Sequence, residues 1–220
     1  MVIVNAGFAG LATVFDYPQV LSEPSTEVLA LFRQHEAATI AWFALLAFGA
    51  ILLIPLAVLI GGLDDAPAMR WGVLAGVAAG LVQAIGLLRW PLLVPSLAAD
   101  AARAEESSTA TETFELLNRV LGTILGETIG YLGTAIWTII VATCLARRGL
   151  PRWFATLGIG AALLILTGLA APWGVPAVQQ LNFIGYLLWS GWLLTLAVLL
   201  TRKPRVSTHE LPSTSSAPAH

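Results

Sequence analysis

The chain has 220 residues, of which 57% are hydrophobic and 11% charged, and its mean hydropathy is +0.82. In soluble domains about a quarter of all residues are charged, so this composition excludes an ordinary soluble protein and indicates one that lies in a lipid bilayer. The formal net charge of −2 offers no basic surface for nucleic acid, and a single cysteine, Cys144, excludes an intrachain disulfide.

Six apolar segments follow one another along the chain, most of them near the ~20 residues that a helix needs to cross a bilayer. The sequence therefore predicts an all-α membrane protein with six transmembrane helices. The apolar segments cover residues 2–15, 37–62, 71–98, 122–145, 153–171 and 175–200. The first is short and lacks the cationic start and cleavage site of a signal peptide, which indicates a thin first helix or a start codon placed too late.

Polar segments separate the apolar ones. The segment 16–36 predicts an amphipathic helix in its second half, and 100–119 predicts a helix after its Ser/Thr cluster. The apolar face of the first of these helices consists of Leu29, Leu31 and Phe32. Asp64 and Asp65, between the second and third apolar segments, predict a solvated turn.

Arginine and lysine set the expected orientation, because short cytoplasmic loops retain them. They concentrate around Arg70, in the loop 147–152 and after residue 201, which six crossings place on one side. We therefore predict that both termini are cytoplasmic and that 16–36 and 100–119 lie outside. The arginine-rich, Ala- and Leu-rich composition is typical of a GC-rich bacterial genome.

The second and fifth apolar segments nearly repeat each other. Residues 42–54 read WFALLAFGAILLI and residues 153–165 read WFATLGIGAALLI, with nine of thirteen positions identical. The third and sixth segments share a weaker pattern, QAIGLLRW at 83–90 and NFIGYLLW at 182–189. A unit of three spans ends on the opposite face of the membrane from where it begins, so its second copy enters from that opposite face. The duplication therefore predicts a 3+3 inverted repeat. A duplication that merely produced a stable six-helix bundle is the alternative.

These patterns divide the chain into one transmembrane domain and a tail. We place the domain at residues 1–202, with repeat halves at about 1–98 and 120–202. Residues 203–220 are rich in Ser, Thr and Pro and predict a disordered cytoplasmic tail.

Two rows of glycines occur at intervals of four residues, the small-residue pattern that lets helices approach closely in a bilayer. The rows consist of Gly72, Gly76 and Gly80, and of Gly122, Gly126 and Gly130. Packing within the chain is the favoured interpretation, and contact with a second copy or another membrane protein is the alternative.

Arg89 and Glu127 are the ionisable residues inside apolar segments, where a charge costs at least a few kcal/mol unless it is paired or reaches water. Arg89 lies 19 residues after Arg70. Glu127 lies 20 residues before Arg147, so at about 1.5 Å per residue the two stand at the same height. The sequence predicts an ion pair that either staples two helices or forms part of a ligand site. The polar residues expected to share its cleft are Gln83, Tyr131, Asn182 and Tyr186.

Catalytic and cofactor motifs are absent from the sequence, which has no H-E-x-x-H, no G-x-S-x-G and no P-loop. We therefore expect no metal, no cofactor and no enzymatic activity, and an enzyme acting on lipid is the least favoured hypothesis. The favoured hypothesis is a small transporter, channel or ligand-binding membrane module with a polar cleft near the outer face. The alternative is a non-catalytic accessory or structural membrane protein that packs against a partner through the glycine rows.

Four segments resemble a known family. They read FDYPQVLSEPSTEVLALFR, QAIGLLRWPLLVP, GETIGYLGTAIWT and LNFIGYLLWSGWLL. With these the chain resembles the bacterial membrane proteins grouped as the domain of unknown function 4386 family, over nearly its whole length apart from the tail. The resemblance implies a six-helix inner-membrane protein of similar length. It brings no established activity, so no functional residue is transferred from it.

Overall fold

The computed structural model describes residues 2–201 apart from 104–106, 174 and 176, and within those residues the chain is all-α. The predicted tail at 203–220 lies outside the described residues. The first six helices are α1 Val2–Phe15, α2 Ser25–Gln34, α3 Glu36–Gly61, α4 Pro67–Leu92, α5 Val94–Asp100 and α6 Ser107–Leu117. They are followed by the π-helix Asn118–Ile129, α7 Gly130–Arg147, α8 Arg152–Thr167 and α9 Val178–Thr201. Short 3-10 helices cover Gln19–Ser22 and Gly168–Trp173.

In the described part, five helical stretches are long and apolar enough to cross a bilayer. They are Glu36–Gly61, Pro67–Asp100, Ser108–Arg147, Arg152–Ala171 and Val178–Thr201. The first predicted span, α1, is apolar but has 14 residues, about 21 Å at 1.5 Å per residue and less than the ~30 Å of a hydrocarbon core. The structure thus supplies five of the six predicted spans at full length.

The outside of the helix bundle is apolar. Leu59 on α3 is 73% exposed and Leu74 on α4 is 59% exposed, as are many other aliphatic side chains of the long helices. In water such a surface would aggregate, whereas lipid tails cover it without cost. Together with the five long apolar helices, this surface identifies an integral membrane protein.

The helices pack in a simple order. α1 packs on α3, α3 on α4, α4 on α7, α7 on α8, and α8 on α9. The helices thus form two trios, one of α1, α3 and α4 and the other of α7, α8 and α9, which meet at the contact of α4 with α7 and with the preceding π-helix.

The two glycine rows lie inside this central contact. Gly72 and Gly76 face Ile140 and Trp137 of α7, and Gly80 faces the backbone of α3. The other row faces α4, where Gly122, Gly126 and Gly130 lie against Arg89, Gly86 and Gln83. Helices of the same chain lie against both rows, as the favoured interpretation of the sequence predicts.

One end of the bundle, which we call the cap end, carries the short helices α2, α5 and α6. Leu29 and Phe32 of α2 are fully buried and Leu31 is partly buried, as their amphipathic spacing predicts. Arg33 ties α2 to α5 by donating a 2.8 Å hydrogen bond to the carbonyl of Ala98. The segment 16–36 is therefore a folded part of the protein.

The opposite end, the loop end, carries the α3–α4 and α7–α8 loops, and an ion pair joins them. The Asp64 carboxylate lies 3.2 Å from Nε of Arg148 and accepts a 2.9 Å hydrogen bond from the backbone N–H of Ala66. Its side chain is 8% exposed, so the prediction of a solvated turn is wrong for Asp64, although Asp65 is exposed. Gly149, with φ of 94°, ends α7 in the left-handed conformation that glycine favours.

The closest approach of α4 to the π-helix generates a stability prediction. A Cβ at Gly86 would lie 2.8 Å from the Leu121 carbonyl oxygen and 2.9 Å from Cα of Gly126. Because both are backbone atoms, Gly86→Ala forces the helices apart, and we expect a loss of about 1–3 kcal/mol. Nothing lies within 4 Å of a Cβ at Gly191, so Gly191→Ala leaves stability unchanged or slightly raised. Thermal unfolding in detergent micelles compares the two, and equal melting temperatures would contradict this helix contact.

Candidate functional site

A cleft of about 590 Å³ lies between the two trios of helices. It reaches from Tyr17 at the cap end to Leu53 and Ser190 in the middle of α3 and α9. Its wall is mostly apolar and includes a group of polar side chains. The six residues singled out in the sequence all line this cleft: Gln83, Arg89, Glu127, Tyr131, Asn182 and Tyr186.

Arg89 is 5% exposed and is held by neutral acceptors. Its Nη2 donates a 2.8 Å hydrogen bond to Oδ1 of Asn118, and its Nη1 donates a short bond to the Gly86 carbonyl. Its Nε has no hydrogen-bond partner among the described residues. A Cβ at Gly122 would lie 2.8 Å from Nη2, so a glycine is needed there to make room for the guanidinium.

Glu127 lines the same cleft from the π-helix and is partly buried. In the part of the chain that the structure describes, no direct ion pair joins Glu127 to Arg89, in contrast to the staple that the sequence suggested. Both charges are thus held in one largely apolar cavity without an ionic partner. Such an arrangement is costly for folding and leaves both groups free to bind a charged molecule.

The other predicted residues are fixed by contacts between helices. Nε2 of Gln83 donates a 2.9 Å hydrogen bond to Oγ1 of Thr134 on α7, and Nδ2 of Asn182 donates a 2.7 Å bond to the Ile165 carbonyl on α8. The rings of Tyr131 and Tyr186 meet edge to face with centroids 5.8 Å apart. The polar wall of the cleft is therefore preorganised by the bundle.

The winding of the π-helix determines which of its side chains face the cleft. Residues Asn118–Ile129 form a π-helix, in which backbone N–H groups bond carbonyls five residues back, and the Thr128 hydroxyl donates a further 2.9 Å bond to the Thr123 carbonyl. Hydrogen bonds of that span imply about 4.4 residues per turn, so Asn118, nine residues before Glu127, comes to the same face. With about 3.6 residues per turn the two would lie on opposite faces. The wide winding thus brings the acceptor for Arg89 and the carboxylate to one wall.

Several polar residues of the cleft are absent from the sequence prediction, and two of them, Asn118 and Tyr17, interact with the predicted charges. Asn118 was assigned to the polar segment 100–119, where nothing marked it as different from its neighbours. Tyr17 follows α1 in the segment 16–36, and its ring packs against Phe43 at 5.3 Å. Removal from water raises the pKa of the Tyr17 phenol, the Glu127 carboxylate raises it further, and Arg89 opposes this rise. Tyr17 is therefore a neutral hydroxyl at the cap end of the cleft.

Across the described residues, no group of His, Cys, Asp and Glu side chains is placed to hold a metal ion. The arrangement combines one guanidinium, one carboxylate, amides and tyrosines, which suits binding of a small molecule.

The Arg89–Asn118 contact can be tested by substitution. Asn118→Ala leaves a buried guanidinium without its side-chain acceptor, and we expect a loss of about 1–3 kcal/mol. Asn118→Asp replaces that acceptor with a carboxylate of similar shape, so we expect stability at or above that of the unmodified protein. Thermal unfolding measures both, and equal destabilisation by the two substitutions would show that Arg89 does not depend on this acceptor.

Comparisons with known proteins agree with the resemblance noted above. Neither the comparison with curated proteins nor the comparison with solved structures found a match. The sequence model of one family, described as a domain of unknown function (DUF4386), matches residues 1–197, which include every element that lines the cleft. The chain belongs to the DUF4386 family.

Proposed function

We propose that this protein is a small transporter or ligand-binding module of the bacterial plasma membrane, and that the cleft between its helix trios is the binding site. One observation carries the proposal. Arg89 and Glu127, opposite charges that make no direct ion pair among the described residues, line a single cavity of about 590 Å³ together with the other four residues singled out in the sequence. A purely structural bundle gains nothing from two unpaired charges in its interior, because each destabilises the fold.

The proposed topology has six crossings, with α1 as a short sixth one and both termini in the cytoplasm. The contact of α1 with α3 supports this, since α7 packs on α8 in the same way. A helix as short as α1 crosses where the bilayer thins locally. In this topology the cap end faces outward, and the cleft opens towards the outside.

An inverted repeat accounts for the two trios. Phe43 and Phe154 occupy matching positions of the repeated segments. Phe43 stacks on Trp90 of α4 with ring centroids 4.6 Å apart, and Phe154 stacks at 5.1 Å on Trp192 of α9, about one turn beyond Trp189, the repeat counterpart of Trp90. The first stack lies towards the cap end and the second towards the loop end, as halves of opposite orientation require.

The alternative role, docking of a partner through the glycine rows, has no surface to use, because helices of the chain itself cover both rows. The binding role is therefore the one that the geometry favours.

Cysteine labelling tests whether the cleft admits water. In a Cys144→Ala background, Ser190→Cys places a thiol deep in the cleft, and Leu187→Cys places one on the exposed, lipid-facing side of the same helix. Because methanethiosulfonates react with the thiolate, which needs water, we expect a charged reagent to modify the cleft position about tenfold faster or more. The readout is mass spectrometry of protein in liposomes, and labelling no faster than at the lipid-facing control would refute a solvated cleft.

Labelling in intact cells tests the orientation. In the same background, Thr26→Cys marks the cap end and Asp65→Cys marks the loop end, where the arginines gather. By the positive-inside rule we expect an impermeant maleimide to modify the Thr26→Cys protein in intact cells, and the Asp65→Cys protein only after permeabilisation. The reverse pattern would invert the topology.

A further inference from the structure

The two charged groups of the cleft stand on neighbouring helices and face one cavity. Arg89 extends from α4, where only neutral groups, Asn118 and the Gly86 carbonyl, bind its guanidinium. Its Nε remains without a partner while the residue is 5% exposed. A buried guanidinium with free donor capacity is a binding group for a carboxylate or phosphate.

Glu127 has surroundings of a different kind. Tyr131 follows it by one turn, and Tyr17 and Tyr186 line the same cavity. A carboxylate beside aromatic rings is the environment that binds an ammonium group, through the charge and through the ring faces. The cavity therefore holds an anion-binding group and a cation-binding group that make no direct ion pair with each other.

The remaining wall of the cavity is apolar. Phe8 of α1, Leu46 and Leu53 of α3, and Phe183 of α9 line it. A purely polar solute would leave this surface without contacts, whereas an aliphatic group would bury it favourably.

We propose that the cleft binds an amphipathic zwitterion, with its anionic group on Arg89, its ammonium group on Glu127 and its aliphatic part against α1 and α3. This inference rests on the proposed function and specifies its ligand class. It explains why the two charges are kept apart, since a direct ion pair would compete with both ends of such a ligand. Two sources supply this chemistry: a free amino acid with an aliphatic side chain, and the headgroup of phosphatidylethanolamine.

Truncated ligands test the proposal. The full chain, purified in detergent micelles, is titrated calorimetrically with leucine, with 4-methylpentanoate, which lacks the amine, and with 3-methylbutylamine, which lacks the carboxylate. The lipid source is tested with dihexanoylphosphatidylethanolamine against dihexanoylphosphatidylglycerol, which has no ammonium group. We expect leucine, the ethanolamine lipid or both to bind about tenfold or more tightly than the analogues that lack one charged group. Each such analogue leaves one charge of the cleft without a ligand group to pair with.

Single substitutions assign each charge to its end of the ligand. Glu127→Gln keeps the shape of the side chain, and we expect it to abolish the preference for the amine-bearing ligand. Arg89→Gln should abolish the preference for the ligand with the anionic group, and Arg89→Lys, which keeps the charge, should retain part of it. Glu36→Gln, at the exposed start of α3, is the matched control and should bind as the unmodified protein does. Melting temperatures identify any variant that fails to fold.

The outcomes separate this proposal from the one on which it rests. Binding of leucine assigns a free amino acid, and binding of the ethanolamine lipid assigns a headgroup. Equal binding of a zwitterion and its truncated analogues refutes the ligand class while leaving a ligand-binding cleft intact. If Glu127→Gln leaves the preference for the amine-bearing ligand unchanged, the Glu127 carboxylate does not bind the ammonium group. A cleft closed to the thiol reagent, with no ligand bound, refutes both proposals.

Discussion

The structure depends on the close contact between α4 and the π-helix. Gly86 meets the backbone of Gly126, and the Arg89 guanidinium lies over Gly122 and is held by Asn118. This contact joins the two trios of helices, and in lipid, where helices gain little from hydrophobic burial against one another, close packing and hydrogen bonds are what hold them. The same contact builds one wall of the cleft, so stability and the candidate binding site rely on the same few residues.

The π-helix resolves a conflict between packing and function. Its glycines must face α4, while its carboxylate must face the cavity. Regular α-helical winding would turn Asn118 and Glu127 to opposite sides, and the wider turns align them. Such winding is less favourable than an α-helix, and it is retained here beside the residues of the proposed binding site. The cap end contributes Tyr17 to the same cleft, so the segment before α2 also lines it.

Much of this architecture follows from apolar periodicity. The long apolar runs predicted the five long helical stretches, because a helix that crosses lipid must satisfy its own backbone and therefore leaves a continuous apolar signal. Four of these runs start within a few residues of a helix, whereas the run at 122–145 begins inside the π-helix and α7 starts at Gly130. The glycine rows predicted close packing, and the isolated charges of Arg89 and Glu127 marked the cavity, since a charge in an apolar run needs a polar environment. The prediction was wrong for Asp64, because its ion pair with Arg148 joins loops more than eighty residues apart in the sequence.

The sequence by itself determined the class of protein, the course of the long helices, the repeat of residues 42–54 at 153–165 and the six polar residues that share a cleft. Each of these is a local property or a comparison of local patterns. Only the tertiary structure decided that Arg89 binds Asn118 and forms no direct pair with Glu127. That choice depends on helix winding and on distances of a few ångströms between neighbouring helices, and residue spacing along a chain carries no information at that scale.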